Sequence, residues 1–242
     1  MSGIEGARRT APMLEVIACS VADAVEAEQG GAGRLEVISR FDVGGLTPPL
    51  DLVRDIMAAV RLPVRVILRE SLDYAVTDAA EVARLCAAAQ EFAGLGVDGL
   101  VLGFLRHGEA DLELTARILA CAPPLSATFH HAFEETRDPL AAIGKLKQLG
   151  QIDRILTAGG TGDWPQRIGR LAAYEQEARP ELTILVGGGL DAAAIRPICK
   201  ATGIGEFHVG RAARTPATSA GAVQAARVRE LVRILEESCT DP

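Results

Sequence analysis

Four prolines, each standing at the head of a short apolar run, set the first constraint on how this chain folds. Pro12, Pro63, Pro124 and Pro180 introduce residues 13–19, 64–69, 125–130 and 182–186. Between them Gly31 and Gly33, Gly96 and Gly99, Gly150, and Gly203 and Gly205 lead into four more such runs, 34–39, 100–105, 154–158 and 206–210. Both residue types punctuate strands rather than extend them. Eight strand-like runs therefore alternate with helix-length stretches, two per unit of roughly 50–60 residues. Parallel strands joined by helical crossovers in that number predict a (β/α)8 TIM barrel, which carries its chemistry at the carboxyl ends of its strands.

The 242 residues suit one such domain, and 48% hydrophobic residues can fill its core. Residues 1–12 read as a flexible leader, 13–238 as the barrel and 239–242 as a tail. With 25 basic and 32 acidic residues the formal charge is −7, and no basic stripe interleaves with aromatics, so nucleic acid is not an expected partner. Arg8 and Arg9 precede no apolar stretch of signal-peptide length, and no run is long enough to span a bilayer. The chain reads as cytoplasmic, with no membrane partner. Its five cysteines are scattered and lack a CxxC pair, so no disulfide framework is expected. Cys86, Cys121 and Cys199 read as small apolar residues, and Cys239 as part of a frayed terminus.

Helices are predicted after each strand. Ser20 caps one ending before Gly30, and Thr47-Pro48 reads as cap plus first-turn proline for another reaching about Val60. Further helices are expected over 77–95, 111–121, 138–149, 163–178, 190–201 and 216–237, with Trp164 packing at a helix start.

Strand side chains alternate, so residues two apart share a face. Glu15, Ile17 and Cys19 go together, as do Glu36, Ile38 and Arg40, and Arg65, Ile67 and Arg69. Ser126, Thr128 and His130 share a face in the fifth run, and Glu206 and His208 in the eighth. The opposite faces of the first three strands are aliphatic and suit packing against helices, so the charged faces should point into the barrel. Buried charges need partners, and Glu15 and Glu36 facing Arg65 and Arg69 would supply them. Such a set is either an ionic plug or a ligand-binding mouth. Arg69 and His130, at strand ends, favour the mouth.

Gly187, Gly188 and Gly189 end the seventh strand, and Gly210-Arg211 the eighth. Loops at these places form the usual phosphate cradle of this fold. The anion-binding set is accordingly Arg65, Thr157, Gly187, Gly188, Gly189, His208, Gly210 and Arg211; the catalytic set is His130, Glu15, Glu36 and Arg69. His107 reads as a solvated loop residue, and His131 faces away from His130, so only one of the two should reach the site. No lysine falls on any strand, which argues against Schiff-base chemistry.

Leu14-Glu15-Val16, the run from Gly31 to Glu36, Gly44-Gly45-Leu46-Thr47-Pro48, Thr128-Phe129-His130-His131-Ala132-Phe133 and the run from Arg154 to Gly159 together resemble the CutC family. That resemblance covers the chain from about Leu14 to Arg211. It implies a (β/α)8 barrel, self-association into a homo-oligomer and a part in copper homeostasis, with copper ion as ligand. The family pattern places cysteines, proposed to hold copper, where this chain has Ile17 and Ile38. Cys19, His130 and His208 are then the residual candidate ligands, with Cys19 as the metal-binding thiol. Two functions stay open beside an inert scaffold. One is copper binding. The other is isomerase- or lyase-type acid–base chemistry on a small anionic or phosphorylated molecule, with His130 as acid–base group, Arg69 as anion fork, and Glu15 or Glu36 orienting the imidazole or acting as the base.

Overall fold

The computed structural model describes residues 11–76 and 78–240. Most of the expected leader, and the last two residues of the expected tail, lie outside the described residues. Eight strands form a closed barrel: β1 (Met13–Ala18), β2 (Arg34–Val37), β3 (Val64–Ile67), β4 (Gly99–Leu102), β5 (Ser126–Phe129), β6 (Ile152–Thr157), β7 (Thr183–Val186) and β8 (Glu206–Val209). Each pairs in parallel with its chain neighbours, and β1 closes the ring against β8 with Glu15 opposite His208. The helices are α1 (Val21–Gln29), α2 (Leu50–Ala59), α3 (Ala79–Leu95), α4 (Leu112–Leu119), α5 (Pro139–Leu146), α6 (Trp164–Ala178), α7 (Ala192–Thr202) and α8 (Ala225–Thr240).

The helix starts are encoded locally. Ser20 caps α1, and Asp78, Asp111, Asp138, Asp163 and Asp191 cap α3 to α7, each side chain accepting from a first-turn backbone N–H. Three expectations shift. Thr47 does not cap α2; its hydroxyl instead exchanges hydrogen bonds with the backbone of Arg69, so the helix begins at Leu50. The helix expected from 216 begins at Ala225, because Arg214–Thr215 and Ala222–Val223 first pair as a short antiparallel ribbon. At its other end α8 runs on to Thr240, and Cys239 turns its thiol toward the Ile204 carbonyl rather than fraying.

The outward strand faces (Val16, Val37, Val66, Leu100, Ile155, Phe207) are completely buried against the helices. Burying such side chains stabilises the fold by roughly 1.5–3 kcal/mol each before entropy is counted. A second, smaller apolar cluster of Ile17, Ile38, Ile67 and Val101 lies inside the ring. Charged strand side chains fill much of the remaining interior, as the alternation predicted. Gly99 lets it close: a Cβ there would lie 2.6 Å from the Ser126 carbonyl oxygen.

Candidate functional site

Inside the barrel the charged side chains form a continuous ladder. Arg65 reaches Asp98 at 3.3 Å, grips Asp153 with both terminal nitrogens at 2.7 and 2.6 Å, and donates to the Thr128 hydroxyl at 2.7 Å. Asp153 accepts from Arg154, which forks onto Glu206 at 2.6 and 3.0 Å. Arg34 lies 3.6 Å from Glu206 and donates to Glu15 at 2.5 Å. Glu15 in turn holds His208 Nδ1 at 2.8 Å, and His208 Nε2 stands 3.4 Å from Glu36.

This corrects the expected pairing of Glu15 and Glu36 with Arg65 and Arg69: the guanidinium on Glu15 is Arg34, and that on Glu206 is Arg154. Strand alternation could have found Arg34, which shares a face with Glu36. It could not have found the partners, which depend on stagger between strands.

The ladder ends beneath a cavity of about 640 Å³ at the strand carboxyl ends, with Glu36, His208, Ile17, Ile38 and Leu156 among the residues lining it. The two carboxylates that flank His208 are electrostatically opposite. Burial alone would raise the Glu15 carboxyl, but Arg34 and His208 hold it well below the usual range. Glu36 lacks such partners; burial pushes it up to about 7, and the Glu15 charge adds to that, against a partial offset from His208 and Arg34. Burial opposes charge on His208, yet its contacts with Glu15 and Glu36 raise its pKa above the ordinary value. One donor atom from each of Glu15, Glu36 and His208 lies within 4.8 Å of the others, and all three side chains are buried. This is the only such cluster of three or more His, Cys, Asp or Glu groups among the described residues.

The other predicted residues divide between the cavity wall and its surroundings. Arg69, His130, Gly188, Gly189, Gly210 and Arg211 line it. The Arg69 guanidinium lies over the Tyr74 ring at 4.7 Å and donates to the Ser71 and Leu72 carbonyls. His130 accepts from the Ala132 N–H on Nδ1, leaving Nε2 buried without a partner. Burial pushes its pKa down to about 3, helped by the charge of Arg69, so the ring is neutral with its proton on Nε2.

His131 also lines the cavity, contrary to the expectation that only one of the pair would. β5 stops at Phe129 and a 3₁₀ turn begins at His131, so strand alternation no longer governs them. Arg65 belongs to the ladder. Thr157 and Gly187 do not line the cavity: the Thr157 hydroxyl donates to Glu134, and a Cβ at Gly187 would meet Leu156 at 2.7 Å. Gly188 and Gly189 take positive φ of 78° and 79°, shaping the turn before α7. Asp191 caps α7 by accepting from the Ala194 N–H at 3.0 Å, so one first-turn amide of this helix is already engaged. Cys19 also stays off the cavity wall; its thiol lies 3.7 Å from Arg214, and burial pushes its pKa up to about 11.

Comparison with known proteins agrees with this architecture. A model of the CutC family matches residues 13–213. A CutC family protein of Xanthomonas axonopodis pv. citri (strain 306) is 37% identical over 196 residues, 81% of each chain. The copper homeostasis protein cutC homolog of Mus musculus is 34% identical over 198 residues, covering 81% of this chain and 72% of that one. The crystal structure of CutC from Streptococcus agalactiae superposes with a TM-score of 0.76 at 26% identity, over 82% of this chain and 98% of that one. A thiamine phosphate pyrophosphorylase from Pyrococcus furiosus, at 17% identity and a TM-score of 0.63 over 93% and 96% of the two chains, shares the fold alone. With its barrel, its segment order and these relatives, the chain belongs to the CutC family.

Proposed function

We propose that this protein serves copper homeostasis by binding copper as Cu(II) at the cavity floor, through Glu36 and His208. The observation that carries the reading is the buried cluster of Glu15, Glu36 and His208 donors within 4.8 Å of one another, two of the three residues lining the cavity. A ligating histidine commonly donates its other ring N–H to a carboxylate, and Glu15 stands 2.8 Å from His208 Nδ1 in that role. Oxygen and nitrogen donors suit Cu(II), whereas Cu(I) selects sulfur. No sulfur lines the cavity: Ile17 and Ile38 stand there, and Cys19, packed against their cluster, stays off the wall. The copper-homeostasis name of the mouse relative supports the same role.

The test is titration of the protein with Cu(II), using Zn(II) and Mn(II) for comparison, read by calorimetry and by electron paramagnetic resonance. Nitrogen coupling in the bound Cu(II) spectrum is expected, and it disappears in His208→Gln. Unchanged Cu(II) affinity in both His208→Gln and Glu36→Gln overturns the proposal.

A second reading, acid–base chemistry on a small anionic molecule, draws on the unpartnered His130 Nε2 and on Arg69 and Arg211 in the same wall. Thermal-shift screening against phosphorylated and carboxylate metabolites checks it, with Arg69→Met expected to abolish any hit. Self-association and a cytoplasmic setting complete the proposal; sedimentation at the monomer mass alone would remove the first. Among the described residues no helix is long and apolar enough to cross a membrane.

A further inference from the structure

The cavity is far larger than an ion requires. At about 640 Å³ it lies within the roughly 300–1,000 Å³ span of small-molecule sites, whereas one water takes up about 30 Å³. Its lining divides by chemistry. Ile17, Ile38 and Ile67 line it as one apolar cluster, with Phe41 packed against them. Gly210 makes room for the Phe41 ring, since a Cβ there would collide with it. Arg69, Tyr74 and His130 give the cavity a polar lining, with the Tyr74 ring 4.7 Å from the Arg69 guanidinium and 5.2 Å from the His130 ring. The imidazole is pinned in place. Its Nδ1 accepts from the Ala132 N–H, and a Cβ at Gly103 would lie 2.6 Å from that nitrogen and 2.9 Å from Cε1. The hydrogen on its Nε2 is buried without an acceptor, a state that buried donors rarely keep. Arg69 spends Nε and Nη2 on loop carbonyls, and its Nη1 has no acceptor among the described residues.

We propose that the cavity binds a small monocarboxylate with an apolar body. Its carboxylate accepts from His130 Nε2–H under the charge of Arg69, and its hydrocarbon part packs on Ile17, Ile38, Ile67 and Phe41. This ligand class rests on the anion-binding reading of the same wall and narrows it. A neutral imidazole donor and one guanidinium match a single negative charge. Arg211, the other cation of the wall, is exposed, as is Asp191 in the same wall. A phosphate dianion would bring a second charge toward Asp191 and Glu36. Hydrocarbon removed from water on the apolar side supplies affinity that a partly exposed ion pair lacks. Binding breaks no covalent bond and transfers no proton, because His130 already carries the hydrogen it donates.

The test uses the full chain, stripped of metal with EDTA and titrated calorimetrically with isocaproate and with hydrocinnamate. Three comparison compounds accompany them: isocaproamide lacks the charge, acetate lacks the apolar body, and inorganic phosphate changes the anion. Both long carboxylates are expected to bind, and each comparison compound to bind roughly tenfold more weakly or worse. Arg69→Met and His130→Phe should each weaken isocaproate by a similar factor, with circular dichroism confirming that they fold. Phe41→Ala should weaken isocaproate and leave acetate unchanged. Arg69→Met, at a half-buried position, decides the matter if His130→Phe does not fold. Wild-type isocaproate affinity in Arg69→Met overturns the proposal, as does amide binding equal to that of the acid. Failure of both carboxylates while a phosphate monoester binds overturns the ligand class and leaves the acid–base reading standing. Carboxylate binding without exchange of its α-hydrogens in deuterium oxide upholds the class and removes the acid–base reading.

Discussion

The lower and upper halves of the barrel interior use the same residue types to opposite ends. Below Glu15 every charge meets its complement: Arg65, only 2% exposed, has Asp153, Asp98 and Thr128, and Arg154 has Glu206. Above it the partners run out. Glu36 has His208 alone, at 3.4 Å, and His130 Nε2 has none. Depth does not explain the contrast, since Asp98 and Asp153 at the lower end are more exposed than Glu36, His208 and His130; the number of partners separates a structural plug from a reactive mouth.

The largest test of this contrast is acid. Folding holds His130 near pKa 3 against an ordinary 6.5, so below about 6.5 the unfolded chain takes up a proton that the folded chain refuses. Stability should therefore fall between those values, on the order of 4–5 kcal/mol for this group, and His130→Gln should flatten that part of the profile. Next comes Arg65→Met. It leaves Asp98 without an ion partner and Asp153 with Arg154 alone, and because both aspartates are partly exposed a loss of about 2–3 kcal/mol in urea denaturation is expected; a loss below about 1 kcal/mol would break the distinction.

Gly187→Ala is a smaller probe that reaches the mouth from behind. Its Cβ would lie 2.7 Å from Leu156 Cδ1 and 3.0 Å from His208 Cδ2. A cost of about 1–2 kcal/mol is expected, with Cu(II) affinity reduced because the imidazole is displaced. Smallest for stability is Glu36→Gln, expected within about 1 kcal/mol of wild type. A costly Glu36→Gln would place that carboxylate in the plug.

Much of the architecture was legible because it is encoded over short distances. Aspartates and Ser20 mark helix starts, prolines and glycines mark strand starts, and alternation in β1 to β3 assigns inward and outward faces. The site was legible only as a set of residues. Arg34 stands two positions before Glu36 and shares its inward face, and Arg69, expected to meet a carboxylate, spends its guanidinium donors on loop carbonyls. The His130–His131 expectation failed where the strand ended, since a period of two carries no information into a 3₁₀ turn.

The sequence by itself determined the order of eight strands and helices, the charged inward face, and the absence of cysteine at positions 17 and 38. Tertiary structure alone decided who pairs with whom. Glu15 and His208 are 193 residues apart and meet because β1 closes the ring against β8 in one register. Local propensity cannot encode that meeting, because the stagger between strands is set by the closure of the whole sheet.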